Sequence, residues 1–166
     1  MAKGRYIPKN PQKYVGNVNQ IIFRSSWELT VLKFFDSSQS VLRYGSEEIA
    51  VPYISPKDGR VHKYYPDFIC EYLDASANLQ REIVEVKPLK ETDIKYAKTP
   101  YDRECLAINE AKWKAASQFA AANGMSFRVI TEATIYKQDP ASRNKTRKTV
   151  KPKRATPTRR AAPKKK

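Results

Sequence analysis

Asp67, Glu85 and Lys87 are charged residues set in two short segments, PDFICEYL and REIVEVKP, that otherwise read as buried strand. Side chains alternate along a strand, so Ile83, Glu85 and Lys87 share one face while Val84 and Val86 take the other. If 67–72 and 81–87 pair as an antiparallel hairpin through DASANLQ, with its midpoint near Ala77, Asp67 falls opposite residue 86 or 87. The three charges then gather in one cross-strand neighbourhood. Two carboxylates and a lysine so placed suit metal-assisted phosphodiester hydrolysis. Asp67 and Glu85 would hold an oxygen-seeking divalent ion, Mg²⁺ or alternatively Mn²⁺, and Lys87 would orient the attacking water or stabilise developing charge. A bare Glu-x-Lys is an ordinary exposed ion pair; its setting between apolar residues, with Pro66-Asp67 one strand upstream, is what points to chemistry.

The elements that must position these residues can be read by period. SSWELTVLKFFDSS carries Trp27, Val31, Leu32 and Phe35 at helical spacing, which predicts an amphipathic helix ending near Asp36. Strands are predicted at 41–44 and 48–54, followed by a turn at Asp58-Gly59. VHKYYPDFICEYL is read as one strand continuing past Pro66, with Pro66 and Pro88 at permitted strand ends. A second helix is expected from about Glu104 to Ala122, stopped by Asn123-Gly124, and then a strand at 125–131. Helix, strands, helix, strand is the order of an α/β fold with a mixed sheet flanked by helices.

Charge divides the 166-residue chain. Twelve of the 32 Lys and Arg fall in 140–166, which has no Asp or Glu, while positions 1–139 carry 20 basic against 17 acidic residues. The expected organisation is an extended arm at 1–20 with anchors at Tyr6, Ile7 and Tyr14, an α/β domain at 21–139 and a basic tail at 140–166. The tail has only Val150 as a large aliphatic, so it is expected to be disordered alone. Its Arg143, Lys145, Arg147, Lys148, Lys151, Lys153, Arg154, Arg159 and Arg160 suit a polyanion, with a salt slope of about −0.9 per phosphate neutralised. No apolar anchor accompanies the charge, so a membrane partner is not expected.

The chain has no 18-residue apolar run, and MAKGRYIPKNPQ lacks the apolar centre of a signal peptide, so a cytoplasm-like compartment is expected. Cys70 and Cys105 make neither a disulfide framework nor a zinc site, a lone His62 disfavours histidine-pair chemistry, and no phosphate-cradling glycine loop is present. His62 reads as a surface or packing residue, and Trp113 with Phe119 as core. Arg60, Lys63 and Lys112 are candidates to line a DNA cleft or to stand as solvated charges.

Pro66-Asp67, followed after seventeen residues by Glu85-Val86-Lys87, resembles the signature of restriction-endonuclease-like nucleases, PD-(D/E)XK. The layout from FRSSWE through VPYISP, KYYPDF and VEVKP to AKWKAASQFAAANGMSFRVIT is similar to their transposon-end-cleaving branch, and more narrowly to head completion proteins of large contractile-tailed bacteriophages. The resemblance covers about residues 4–136. It implies a restriction-endonuclease-like fold, Mg²⁺ ligation by the two acidic groups, and a helical glutamate in the site that ligates the metal through water or orients a water, for which Glu28 stands in the expected place. Glu28 also fits a capping box with Ser25, reaching back to the Ser25 N–H, and both roles remain open. The resemblance further implies double-stranded or branched DNA as substrate, portal or neck proteins as partners, and a location in the host cytoplasm during assembly and then at the virion head–neck region. It also allows a homo-oligomer, since such nucleases often pair two sites. A catalytically silent DNA-binding component of the head–neck assembly is the alternative.

Overall fold

A computed structural model of the chain describes residues 3–138. The basic tail residues, from Arg143 to Arg160, lie outside them.

The centre is a four-stranded mixed sheet. Its strands are β3 (Val41–Ser46), β6 (Phe68–Leu73), β7 (Leu79–Val86) and β8 (Ser126–Ile130), in that spatial order. β3–β6 and β6–β7 are antiparallel and β7–β8 is parallel. The parallel step needs a crossover, which α2 (Pro100–Ala122) supplies. With α1 (Ser26–Ser37) and α3 (Glu132–Gln138), this is the mixed α/β architecture expected from the order of elements.

Alternation along β7 sorts the sheet into two faces. Val84 and Val86 join Phe68, Cys70 and Ile130 in the main core with Val31, Leu32 and Phe35 of α1 and Ile135 of α3. The opposite face turns to α2, where Ala116 packs with Val51 and Tyr64, and Phe119 and Phe127 close around them.

The N-terminal segment is tied down more firmly than an extended arm. β1 (Gly4–Arg5) pairs with β2 (Ile22–Phe23), Tyr6 is buried, and Tyr14 packs edge-on against Tyr44. The expected anchor Ile7 is instead 77% exposed. The fastening is polar: buried Asp36 accepts from the N–H groups of Lys9 and Asn10 and from the hydroxyls of Tyr6 and Tyr44.

Three expectations change. The segment VHKYYPDFICEYL is two strands in two sheets, because β5 (Val61–Tyr64) pairs with β4 (Val51–Ile54) as a separate hairpin and the chain re-enters the central sheet only at Phe68. Pro66 has no N–H with which to carry a ladder across that break. The strand predicted over 48–54 shrinks to β4, since Glu47 adopts φ 58° and turns the chain out of the central sheet. α2 begins four residues earlier than predicted: Thr99 and Asp102 form a reciprocal capping box around Pro100, and Pro is well suited to a first helical position. The turns come where expected, with Gly59 at φ 68° and Gly124 at φ 65°, a region that costs glycine nothing.

Candidate active site

β6 and β7 bring the two carboxylates together. Phe68 pairs with Val84, and one further step of that register puts Asp67 opposite Glu85, rather than opposite residue 86 or 87 as expected. The shift comes from a tighter connection. Asp74 accepts from the N–H groups of Ser76 and Asn78, and Ala77 takes φ 59°, so β7 starts at Leu79 directly across from Leu73.

Each acidic residue is held from more than one element. Asp67 Oδ2 accepts from the Val86 N–H at 2.7 Å, and its carbonyl accepts from the Glu47 N–H at 3.2 Å. Glu85 is only 3% exposed; Lys87 Nζ lies 3.2 Å from Oε1 and the Tyr64 hydroxyl donates to Oε2 at 2.5 Å. Burial and then the neighbouring Glu85 charge push Asp67 up to about 7, partly offset by the Val86 N–H and Lys87. For Lys87, burial opposes the charged form, but Glu85 and Asp67 outweigh it and raise its pKa. Burial and the Glu85 charge drive the Tyr64 phenol far above its ordinary range.

Glu28 stands at the edge of this group. Ser25 Oγ accepts from the Glu28 N–H at 3.1 Å, which caps α1, but the Glu28 carboxylate accepts from the N–H of Arg24 at 2.7 Å, one residue before the cap. Its charge is near enough to raise Asp67. The Arg24 guanidinium makes a two-pronged ion pair with Glu47, whose backbone already reaches Asp67. Arg24, Glu47 and Tyr64 were not singled out in the sequence. Only Tyr64 carried a local signal, as an aromatic two residues before Pro-Asp.

The candidate DNA contacts separate. Lys112 on α2 is half-buried, with its ammonium 5.7 Å from the ring centroids of both Tyr53 and Tyr64, so it borders the site. Arg60 and Lys63 are exposed on the β4–β5 hairpin. His62 is exposed and pairs with Asp58 at 2.9 Å, as befits a surface residue. Trp113 is only half-buried and lies outside both core clusters, its Nε1 enclosed without a partner. Phe119 packs at the rim of the smaller cluster.

Two facing carboxylates, one with proton affinity raised by burial and then by its neighbour, are a hard-oxygen donor pair, which suits Mg²⁺ or Mn²⁺ better than a thiolate- or imidazole-seeking metal. Among the described residues no three His, Cys, Asp or Glu side chains gather closely enough to enclose an ion by themselves. A pair is consistent with Mg²⁺ sites, which use one or two carboxylates and retain waters.

Residues 38–132 match the family model of the TnsA-like endonuclease N-terminal domain, a span that contains Asp67, Glu85 and Lys87 and omits Glu28. The chain is also 32% identical over 139 residues to the head completion nuclease of Enterobacteria phage T4, covering 78% of this chain and 90% of that protein. The match to more than half of the chain, with this identity across most of both proteins, means that the chain belongs to the TnsA-like endonuclease family.

Proposed function

We propose that this protein is a metal-dependent DNA endonuclease of phage head completion, hydrolysing phosphodiester bonds of packaged or branched DNA before the neck and tail join. The observation that carries this is the meeting of Asp67 and Glu85 across β6 and β7, with Lys87 on the same face. Asp67 and Glu85 are the residues that would hold a divalent ion, which when bound would supply Lewis acidity toward the phosphate. Asp67, fixed by the Val86 N–H, presents its carboxylate in one orientation. Lys87 is kept as an ammonium by its acidic neighbours, which suits it to stabilise charge developing on the phosphate rather than to take a proton. Glu28 acts from the start of α1 through water. Lys112 at the site border, Arg60 and Lys63 on the hairpin and the basic residues of 140–166 bind the DNA backbone. Portal or neck proteins are the proposed partners, in the host cytoplasm during assembly and then at the head–neck region. Among the described residues no helix is long and apolar enough to cross a membrane.

The test is incubation of the purified protein with linear, branched and supercoiled DNA, with Mg²⁺ or chelator, beside Asp67→Ala and Lys87→Ala. Metal-dependent cutting by the parent and its loss in both variants are expected. DNA binding by all three without cutting of any substrate would replace the nuclease with a structural DNA-binding role.

A further inference from the structure

We propose that Tyr64 is a positioning residue for Glu85, whose phenol sets the orientation in which that carboxylate meets a divalent ion; this rests on Asp67 and Glu85 being the metal-holding pair. Tyr64 is 5% exposed, and its ring packs with Val51 and Ala116 in the cluster between the β4–β5 hairpin and α2. Its hydroxyl leaves that cluster to donate to Glu85 Oε2 at 2.5 Å, while Lys87 approaches Oε1.

The two donors come from different layers of the fold. Lys87 lies two residues along the chain from Glu85, whereas Tyr64 is held by a hairpin and a helix that do not carry the carboxylate. Together they engage both carboxylate oxygens, Tyr64 by a hydrogen bond to Oε2 and Lys87 by an ion pair at Oε1, leaving other lone pairs for an ion. The same segment places Asp67 three residues on, so the hairpin that anchors Tyr64 also delivers the second ligand. Hydrogen-bond partners of metal-ligating carboxylates govern affinity as well as orientation, and losing one typically costs about 10–100-fold in metal affinity or activity. A phenylalanine would fill the same apolar space, so the function of the hydroxyl lies in its contact with Glu85.

The experiment uses the full chain with Tyr64→Phe, with Val41→Ala in the main core, at the end of β3 far from the site, as a packing control that removes no polar atom, and with Asp67→Ala. Mn²⁺ binding is followed by the spin-resonance signal of the free ion, thermal unfolding is recorded without metal, and cutting is measured against Mn²⁺ concentration. Tyr64→Phe is expected to stay folded, to bind Mn²⁺ about 10–100-fold more weakly, and to need correspondingly more Mn²⁺ for half-maximal cutting. Its rate at saturating Mn²⁺ should return toward the parent's, a rescue that a damaged scaffold would not give. Val41→Ala should melt lower yet bind Mn²⁺ as the parent does. Parent-like Mn²⁺ binding by Tyr64→Phe, equal weakening in Val41→Ala, or unfolding of Tyr64→Phe alone would each overturn the inference while leaving the metal pair standing. Absence of Mn²⁺ binding in the parent, with Asp67→Ala indistinguishable from it, would remove the metal pair and the inference together.

Discussion

The backbone N–H of Val86 donates to Asp67 Oδ2 at 2.7 Å, so the strand that carries Glu85 also holds the other carboxylate in place. The two acidic groups are therefore positioned by one piece of sheet, and their repulsion is built into the folded state.

That repulsion has a measurable sign. Asp67 is pushed up to about 7, above its unfolded value, by burial and Glu85. Between the ordinary carboxylate range and pH 7 the folded state then binds more protons than the unfolded state, so this group destabilises the metal-free protein increasingly as pH rises through that window. Asp67→Asn, which retains an oxygen for the Val86 N–H, should melt higher than the parent at pH 8 without metal and nearly level with it at pH 4. If Asp67 and Glu85 hold a divalent ion as proposed, its affinity should rise with pH up to about 7, by as much as about tenfold per unit. Calorimetry in buffers of different ionisation enthalpy should detect the released proton; an affinity flat from pH 5.5 to 8 would contradict the assignment.

Asp36 should respond in the opposite sense. Burial favours its neutral form, but the N–H groups of Lys9 and Asn10, then the hydroxyls of Tyr6 and Tyr44, outweigh this and lower its pKa. Its contribution to stability is thus fully present above the ordinary carboxylate range and lost as pH falls through the lower folded value. Asp36→Ala strands those donors and should cost about 3–5 kcal/mol in chemical denaturation. Limited proteolysis should then cut first within 3–20.

The two roles of Glu28 can be separated. Ser25→Ala removes the cap on α1 and should cost about 1 kcal/mol of stability while leaving the maximal cutting rate near the parent's. Glu28→Gln retains an acceptor for the Arg24 N–H, so it should unfold like the parent yet cut at least about tenfold more slowly if its charge serves the reaction. Equal cutting by Glu28→Gln and the parent would leave Glu28 as a capping residue alone.

Removing 139–166 should weaken DNA binding strongly at low salt and flatten its salt dependence by about 0.9 for each phosphate that the tail neutralises in the full chain. Residues 1–138 should still cut at high DNA concentration, because Asp67, Glu85 and Lys87 all lie within them. A salt slope unchanged by truncation would move the polyanion contacts to the folded domain.

The helix over the first apolar stripe, the strand with Glu85 and Lys87 on one face, and the strand after Asn123-Gly124 were legible because each depends on local periodicity and turn chemistry. The break at Pro66 was not, since a β-rich run of alternating residues does not disclose that its halves pair with different partners. Register escaped by one or two residues for a related reason: the hairpin length was set by Asp74 hydrogen bonds and the left-handed Ala77, not by the midpoint of a polar stretch.

The sequence by itself determined which residue types are available for chemistry: two acids and a lysine in apolar surroundings, without a histidine pair or a cysteine cluster, and a polycation confined to one end. Strand alternation, a property of the backbone, was enough to put Glu85 and Lys87 on one side. Only the tertiary structure decided that Tyr64, from a separate hairpin packed under α2, closes on Glu85, and that Arg24 and Glu47 stand beside Asp67. Those interactions join residues whose proximity depends on how layers pack, and packing is set by the whole chain rather than by any local period.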